Sequence, residues 1–579
     1  MNFTIFTENN CILNQPIFLF LFLITFSTFS QEKYPKDYFR KPLNIPTILA
    51  GTFGELRSNH FHSGIDIKTQ GKEGLKIYAA ADGYVSRIKV AQYGFGKAIY
   101  ITHPNGYTTV YAHLSKYVDK IQKYVKAIQY KKENYQTGNL FFKNDKFPVK
   151  KGEIIAFSGD TGSSGGPHLH YEIRSTKTEK IINPLLFGIK PNDTKPPIFQ
   201  SLKVYSLQSD SRINNQKKSF ILPLKNIGKG NYKADKITAS GIIGFGVSVF
   251  DRLNEAPNKN GIYSLEMLVN GKRFYYHNVE TFSFSESKFI NLHIDYQHYK
   301  KYKKKYQKTY KETANKLSTY ENLINNGKIN IKNSLNYTVE IIAKDYKGNK
   351  SSIKIPIAGK KSNVIFSKPK DTTEFKIIAK KFQKFTKENV TIAFPKNTFY
   401  EDLFIDFNVE NGIAKIHTPT IPLDKSYTLT YNVSKYSEVE KQQLYIANVQ
   451  NSKYPRFQYT RKKDSTFYTT TKTLGKYALV ADKQKPKIKL LYIKDKQWIS
   501  KFNTLKVKIS DIGSGIKNYR ATIDGKWILM EFNHKKRILT YNFSDKKLVG
   551  SKHIFKIVVS DNVGNTNTLS TTFFKKQVN

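Results

Sequence analysis

Three short segments of the chain hold residues whose types and spacing could do chemistry. "NHFHSGIDIK" (59–68) places His62 four positions before Asp66, with Ser63 and Gly64 in the turn between them. "YTTVYAHLS" (107–115) carries His113, and "GPHLHYEI" (166–173) carries His168 and His170 two positions apart. With 12 histidines in 579 residues, such grouping calls for a reason. Histidine and aspartate bind divalent metals, and histidine also moves protons near neutral pH. Each segment alone fits an ordinary surface pair or the solvated face of a strand. Together they fit a catalytic zinc site, in which three protein ligands leave a fourth position open for water. His62, Asp66 and one histidine of the His-x-His pair would supply that set. His113 and the other member of the pair would remain for proton transfer.

These residues need strands to hold them. As a strand, 168–174 places His168, His170, Glu172 and Arg174 on one face and Leu169, Tyr171 and Ile173 on the other, because side chains alternate with a period of two. In 107–115 the same rule puts Val110, Ala112 and Leu114 on an apolar face, with Thr109, Tyr111 and His113 pointing the other way. The segments around them, such as "KAIYITH" and "GEIIAFSG", are short, alternating and punctuated by glycine, as strands joined by turns are. Residues 115–140 break this texture. Tyr117, Val118, Ile121, Tyr124, Val125 and Ile128 recur at spacings of three and four, which predicts a helical insertion.

In this order, "HFHSGIDI", "YAHL" and "GPHLHYEI" resemble the three signature blocks of the lysostaphin-type (LytM-like) zinc metallopeptidases. The resemblance covers about residues 45–190, and "GLKIYAAADGYV", "VKKGEIIAFSGDTG" and "NPLLF" share the family's texture. It implies a small antiparallel β domain with a groove for an extended peptide, and one Zn²⁺ per peptidase domain. It also implies His62, Asp66 and His170 as the metal ligands. His168 and His113 match the two catalytic histidines that activate the water and stabilise the tetrahedral intermediate. The expected substrates are the stem peptides of peptidoglycan. Residues 50–61 lack the tyrosine that some members place before the first ligand, so no such role is carried over. His60 is extra and reads as a groove-edge residue. Some members have lost ligands and only bind and activate another cell-wall hydrolase. All five positions are filled here, which favours catalysis over that alternative.

Composition bounds the rest. Lys and Arg number 95 against 45 Asp and Glu, a formal charge of +50. The lysines are spread along the whole chain and no nucleic-acid motif accompanies them, so the charge reads as a compositional bias that would also favour an anionic wall. Residues 1–30 read as a signal peptide with an apolar run from Ile17 to Ile24 and cleavage near Ser30–Gln31, although residues 1–31 contain no Lys or Arg. The run is shorter than the ~20 residues that span a bilayer. Export to the periplasm or the outside of the cell is expected, with no transmembrane segment after signal removal. Cys11, the sole cysteine, would leave with the leader, so any metal site must use His and carboxylates.

The expected architecture is mainly β, with the metallopeptidase domain at 32–190 and β-sandwich modules after it. "KPNDTKPPIF" (190–199) marks a boundary. Beyond it the chain repeats itself. "GVSVFDRLN" (246–254) and "YTVEIIAKDYKGNKSS" (337–352) match "KVKISDIGSGI" (506–516) and "HIFKIVVSDNVGNTNT" (553–568), and each pair is separated by an Asn-Gly or Asp-Gly hairpin. These predict immunoglobulin-like modules at 195–360 and 484–579, with a β-rich region of unclear type at 362–483. The Lys/Tyr-rich stretch 296–323 reads as a solvated helix inserted in the first module. The modules would position the enzyme on the wall or bind an envelope protein partner.

Overall fold

The computed structural model describes residues 33–362 and 372–576. The expected leader, with Cys11, lies outside the described residues. The chain is mainly β, as its alternating texture predicts.

The first domain is built on an antiparallel sheet. Its central strands are β1 (Leu49–Gly51), β2 (Ile65–Lys68), β3 (Gly83–Val90), β4 (Lys97–Thr102), β5 (Tyr107–Ala112) and β6 (His168–Ser175), in the spatial order β1-β2-β6-β5-β4-β3. Leu169, Tyr171 and Ile173 of β6 are fully buried in the core together with Ile65, Ile67, Ile99, Ile101 and Tyr111. Burying each such side chain contributes roughly 1.5–3 kcal/mol. A one-residue slip of β6 would turn all three out and carry the histidines inward, so the apolar side chains pin the register of the polar ones.

The helical insertion forms as expected, over Asp119–Lys132. It buries Ile121 and Val125 against the first core, and Tyr130 lies edge-on to Trp527 at 5.2 Å between ring centroids. The 296–323 stretch departs from the expected helix. Only Tyr296–Tyr302 is helical, and Tyr306, Tyr310 and Leu317, C-terminal to that short helix, are buried. A run counted as solvated for its lysines uses its tyrosines as core.

Four large apolar cores and one small cluster run along the described residues. The first is shared: Val279, Phe282, Phe289 and Ile290, from beyond the Pro-rich boundary, pack with Phe53 and Phe61 in it. Strand pairing continues across as well, with Ile181 opposite Phe282. Residues 372–482 form two five-stranded sheets over one core, and residues 484–576 form a four- and a five-stranded sheet over another.

His277 and His293 stack at 4.4 Å in the seam between the first core and the next module, and both are fully buried. Burial pushes His277 down to about 3; burial and then the charge of His277 hold His293 well below its ordinary value. An unfolded histidine takes up its proton near pH 6.5, whereas the folded one stays neutral, so stability falls as pH drops below about 6.5. Between pH 7 and 4.5 His277 alone should cost on the order of 3 kcal/mol. Denaturant unfolding at the two pH values should therefore show a smaller acid loss for His277→Phe than for the wild type; equal losses would contradict this account.

Candidate metal centre

The site forms where β2 and β6 pair, with Asp66 directly opposite His170. His62 arrives from the turn just before β2. Gly64 makes that turn possible, because a Cβ there would lie 2.3 Å from the carbonyl oxygen of Tyr171. His62 Nε2, Asp66 Oδ1 and His170 Nδ1 converge: the three separations are 3.0 Å (His62–Asp66), 2.9 Å (His170–Asp66) and 3.1 Å (His62–His170). Ligand atoms held 2.0–2.1 Å from one tetrahedral zinc stand ~3.3 Å apart, so the donor set fits this ion. It has the His, Asp, His chemistry of such sites and no cysteine. The arrangement brings together all three residues that the family resemblance implied as ligands.

The other nitrogens of these rings are each tied down. His62 Nδ1 lies 2.8 Å from the carbonyl oxygen of Thr52. A carbonyl only accepts, so Nδ1 carries the proton and Nε2 presents its lone pair to the centre. His170 is held the opposite way round: its Nε2 lies 2.9 Å from Glu172 Oε1, leaving Nδ1 for the centre. Glu172 is fully buried and accepts from Arg174 Nε at 2.7 Å. Burial opposes its ionisation, but Arg174 and then His170 outweigh that and pull it down to about 2. Arg57 Nη2 donates to the second oxygen of Asp66 at 3.1 Å. Asp66 is therefore held well below the usual carboxylate range: burial works against this, and His62, His168 and His170 override it.

His168 and His113 stand beside this cluster, with ring centroids 4.8 Å apart. His168 Nδ1 donates to the carbonyl oxygen of Gly166 at 2.8 Å, and its Nε2 is 3.4 Å from Asp66 Oδ1. His113 Nδ1 donates to the carbonyl oxygen of Thr161 at 2.8 Å. Burial, then the charges of His170 and His168, push His113 down to about 3, so it is a neutral imidazole at pH 7 with a bare Nε2. Its approach to the site differs from the alternating strand expected for 107–115. Tyr111 faces the main core, whereas Val110 and Ala112 lie on the histidine side, with Ala112 opposite His170. The strand ends at Ala112, and His113 takes φ +61°. That left-handed turn, uncommon outside glycine, brings the ring back to the side of the sheet that alternation would deny it.

Glu172 and Arg174 fall on the histidine face in the sequence pattern, but the pattern alone gives them no role. Their signal was the polar run His-x-His-x-Glu-x-Arg, which is too costly to bury unless paired. Thr52, Gly166 and Thr161 act through backbone carbonyls and left no signal in side-chain type. His60 stays exposed and bonds its neighbour Asn59.

The last module closes on the same loops. Phe95, whose ring lies 5.1 Å from that of His170, sits in a loop that continues into Lys97, and Lys97 pairs with Glu531 at 2.7 Å. Lys535 pairs with Asp160 at 2.8 Å and also donates to the carbonyl oxygen of Ser164, at 3.1 Å. Thr161 and Ser164, from that second loop, are the partners of His113 and His168.

Residues 60–130 match the model of peptidase family M23, and residues 376–482 match that of a Zu5-like domain. An uncharacterized metalloprotease of Haemophilus influenzae is 33% identical over 160 residues, 27% of this chain and 28% of that protein. The DD-carboxypeptidase/endopeptidase Mpg of Neisseria meningitidis is 36% identical over 119 residues, 21% of each chain. The peptidoglycan DD-endopeptidase ShyC of Vibrio cholerae is 32% identical over 139 residues, 24% of this chain and 25% of that one. The chain thus spans about a quarter of the length of the curated relatives it matches. Among solved structures, the catalytic domain of lysostaphin from Staphylococcus simulans is 25% identical with a TM-score of 0.18, covering 24% of this chain and 91% of that one. The match over residues 60–130, with these relatives, supports a LytM-like M23 peptidase family for the first domain.

Proposed function

We propose that the first domain is an extracytoplasmic zinc endopeptidase that hydrolyses peptide cross-links of peptidoglycan. One observation carries the reading. Four imidazoles and one carboxylate converge, and each ring's outward N–H is spent on a fixed acceptor. His62, Asp66 and His170 would hold the ion. Bound zinc supplies a water of pKa near ~7 and polarises the carbonyl under attack. His113 and His168 then do the proton work, each with Nδ1 locked on a backbone carbonyl and Nε2 turned toward the centre, that of His168 3.4 Å from Asp66 Oδ1. A neutral histidine takes the proton of the attacking water, and the resulting imidazolium can return it to the leaving amine. Glu172, itself held by Arg174, orients His170 and raises its basicity. The names of the relatives Mpg and ShyC point to D,D bonds between stem peptides as the first substrates to try. Those names, with the expected leader, support action outside the cytoplasm. Among the described residues no helix is long and apolar enough to cross a membrane.

Incubating the full-length protein with purified sacculi and identifying the released muropeptides by mass spectrometry tests this reading. The wild type should open cross-links, and His170→Ala should not. His113→Ala should keep its zinc and lose ~10²–10⁴-fold in rate. Release by His170→Ala equal to that by the wild type would sink the proposal. Glu172→Gln should weaken zinc affinity by about 10–100-fold, read by titration against a competing chelator, because it removes the charge that fixes His170.

A further inference from the structure

Two trios of buried and half-buried aspartates lie far from the histidine site, one at each repeat of the β-sandwich pattern. Asp193, Asp251 and Asp345 form the first; Asp482, Asp511 and Asp561 form the second. In each trio, ligand oxygens from all three residues lie within 4.8 Å of one another. The positions correspond. Asp193 and Asp482 precede the first strand of each module. Asp251 and Asp511 follow the strand that pairs with it, with Ile198 opposite Phe250 in one module and Lys487 opposite Ser510 in the other. Asp345 and Asp561 each open an Asp-x-x-Gly-Asn turn.

The details repeat too. Asn349 Nδ2 donates to Asp345 Oδ2 at 2.8 Å and to the carbonyl oxygen of Asp193 at 3.4 Å. Asn565 Nδ2 donates to Asp561 Oδ2 at 2.8 Å and to the carbonyl oxygen of Asp482 at 3.0 Å. The Asn of each turn thus ties two members of its trio together.

Three observations point from these clusters to a ligand. Asp251 Oδ1 and its counterpart Asp511 Oδ1 are both buried and without a hydrogen-bond partner. Asn260 is 2% exposed, and neither its amide oxygen nor its amide nitrogen has a partner. It forms a reciprocal backbone pair with Asp251, which sets the two side chains on the same face of the ladder. Asp193 and Asp251, though not Asp345 or Asn260, border a largely apolar cavity of about 20 Å³, room for a single ion or water beside the trio. Charge makes the same case. Among the described residues no lysine or arginine forms a salt bridge with any of the six carboxylates, in a chain with 95 such cations. Burial, then Asp193 and Asp345, push the Asp251 carboxyl up to about 8. Gathering three carboxylates out of water without a counter-charge is costly. The donors are all oxygen, with no histidine or cysteine, which excludes a zinc-type site and suits a hard cation with a large, flexible coordination shell.

We propose that the two trios are a repeated pair of calcium sites, one at the head of each β-sandwich module, each tying the strand entry to two turns of its module. The first lies beside the core shared with the histidine-bearing domain, since the same cavity is lined by Leu49 and Phe53. This inference does not rest on the proposed peptidase activity.

Full-length protein freed of calcium with EGTA and desalted can be titrated with CaCl₂ by calorimetry. The expected result is two equivalents, with Kd on the order of 10⁻⁴–10⁻³ M as in other extracellular modules. Asp251→Asn should lose one equivalent, Asp511→Asn the other, and the double variant both. Millimolar calcium should raise the unfolding temperature of the wild type and leave the double variant unmoved. Without calcium, each Asp→Asn variant should be at least as stable as the wild type, because it removes like-charge repulsion. No binding, two equivalents retained by the double variant, equal affinity for magnesium, or variants less stable than wild type without calcium would each overturn the proposal.

Discussion

A single oxygen, Asp66 Oδ1, lies 3.0 Å from His62 Nε2, 2.9 Å from His170 Nδ1 and 3.4 Å from His168 Nε2. An anion buried this far from water must be matched by groups held around it. Much of the first domain serves that requirement. Arg57 covers the second oxygen, Thr52 and Glu172 fix the rings of His62 and His170, and Arg174 in turn compensates Glu172. Loosening any outer member leaves a charge or a polar atom buried without its partner, so the polar site is as sensitive to its surroundings as to its own residues.

The parts that obey a local rule could be read from the sequence. The period of two in β6 places Leu169, Tyr171 and Ile173 in the core and the His-Glu-Arg run on the other side. The three-and-four spacing gave the helix at 119–132. Alternation failed for His113, because a single left-handed residue undoes it, and His113 is not a residue type that announces such a turn. Composition misled at 296–323, where lysine content concealed the burial of Tyr306 and Tyr310. Partners distant in sequence left no trace: nothing near Lys97 hints at Glu531, and backbone acceptors such as Thr161 are invisible in side-chain chemistry.

The modules are more than appendages to the histidine-bearing domain. Phe282 and Ile290 complete the first core, and the backbone N–H of Phe61, next to His62, donates to Ser287 Oγ at 2.8 Å. The proline-rich segment at 190–199 therefore joins two bodies with a common interior, although its composition reads as a domain boundary. Its aspartate, Asp193, belongs to this tightening, since it meets carboxylates from two other loops.

The grip of the last module on the loops at 92–97 and 160–164 also bears on the order of events in synthesis. The histidine-bearing domain is made first, yet Lys97 and Asp160 meet their partners only when residues 531–535 have been made and folded. Chains fold from the N-terminus as they emerge. The loops that seat His113 and His168 are thus the last part of the histidine-bearing domain to be finished. A chain cut between the first domain and residues 531–535 would carry every candidate ligand and lack these braces. In this protein, the rim of the site is braced by residues made long after it.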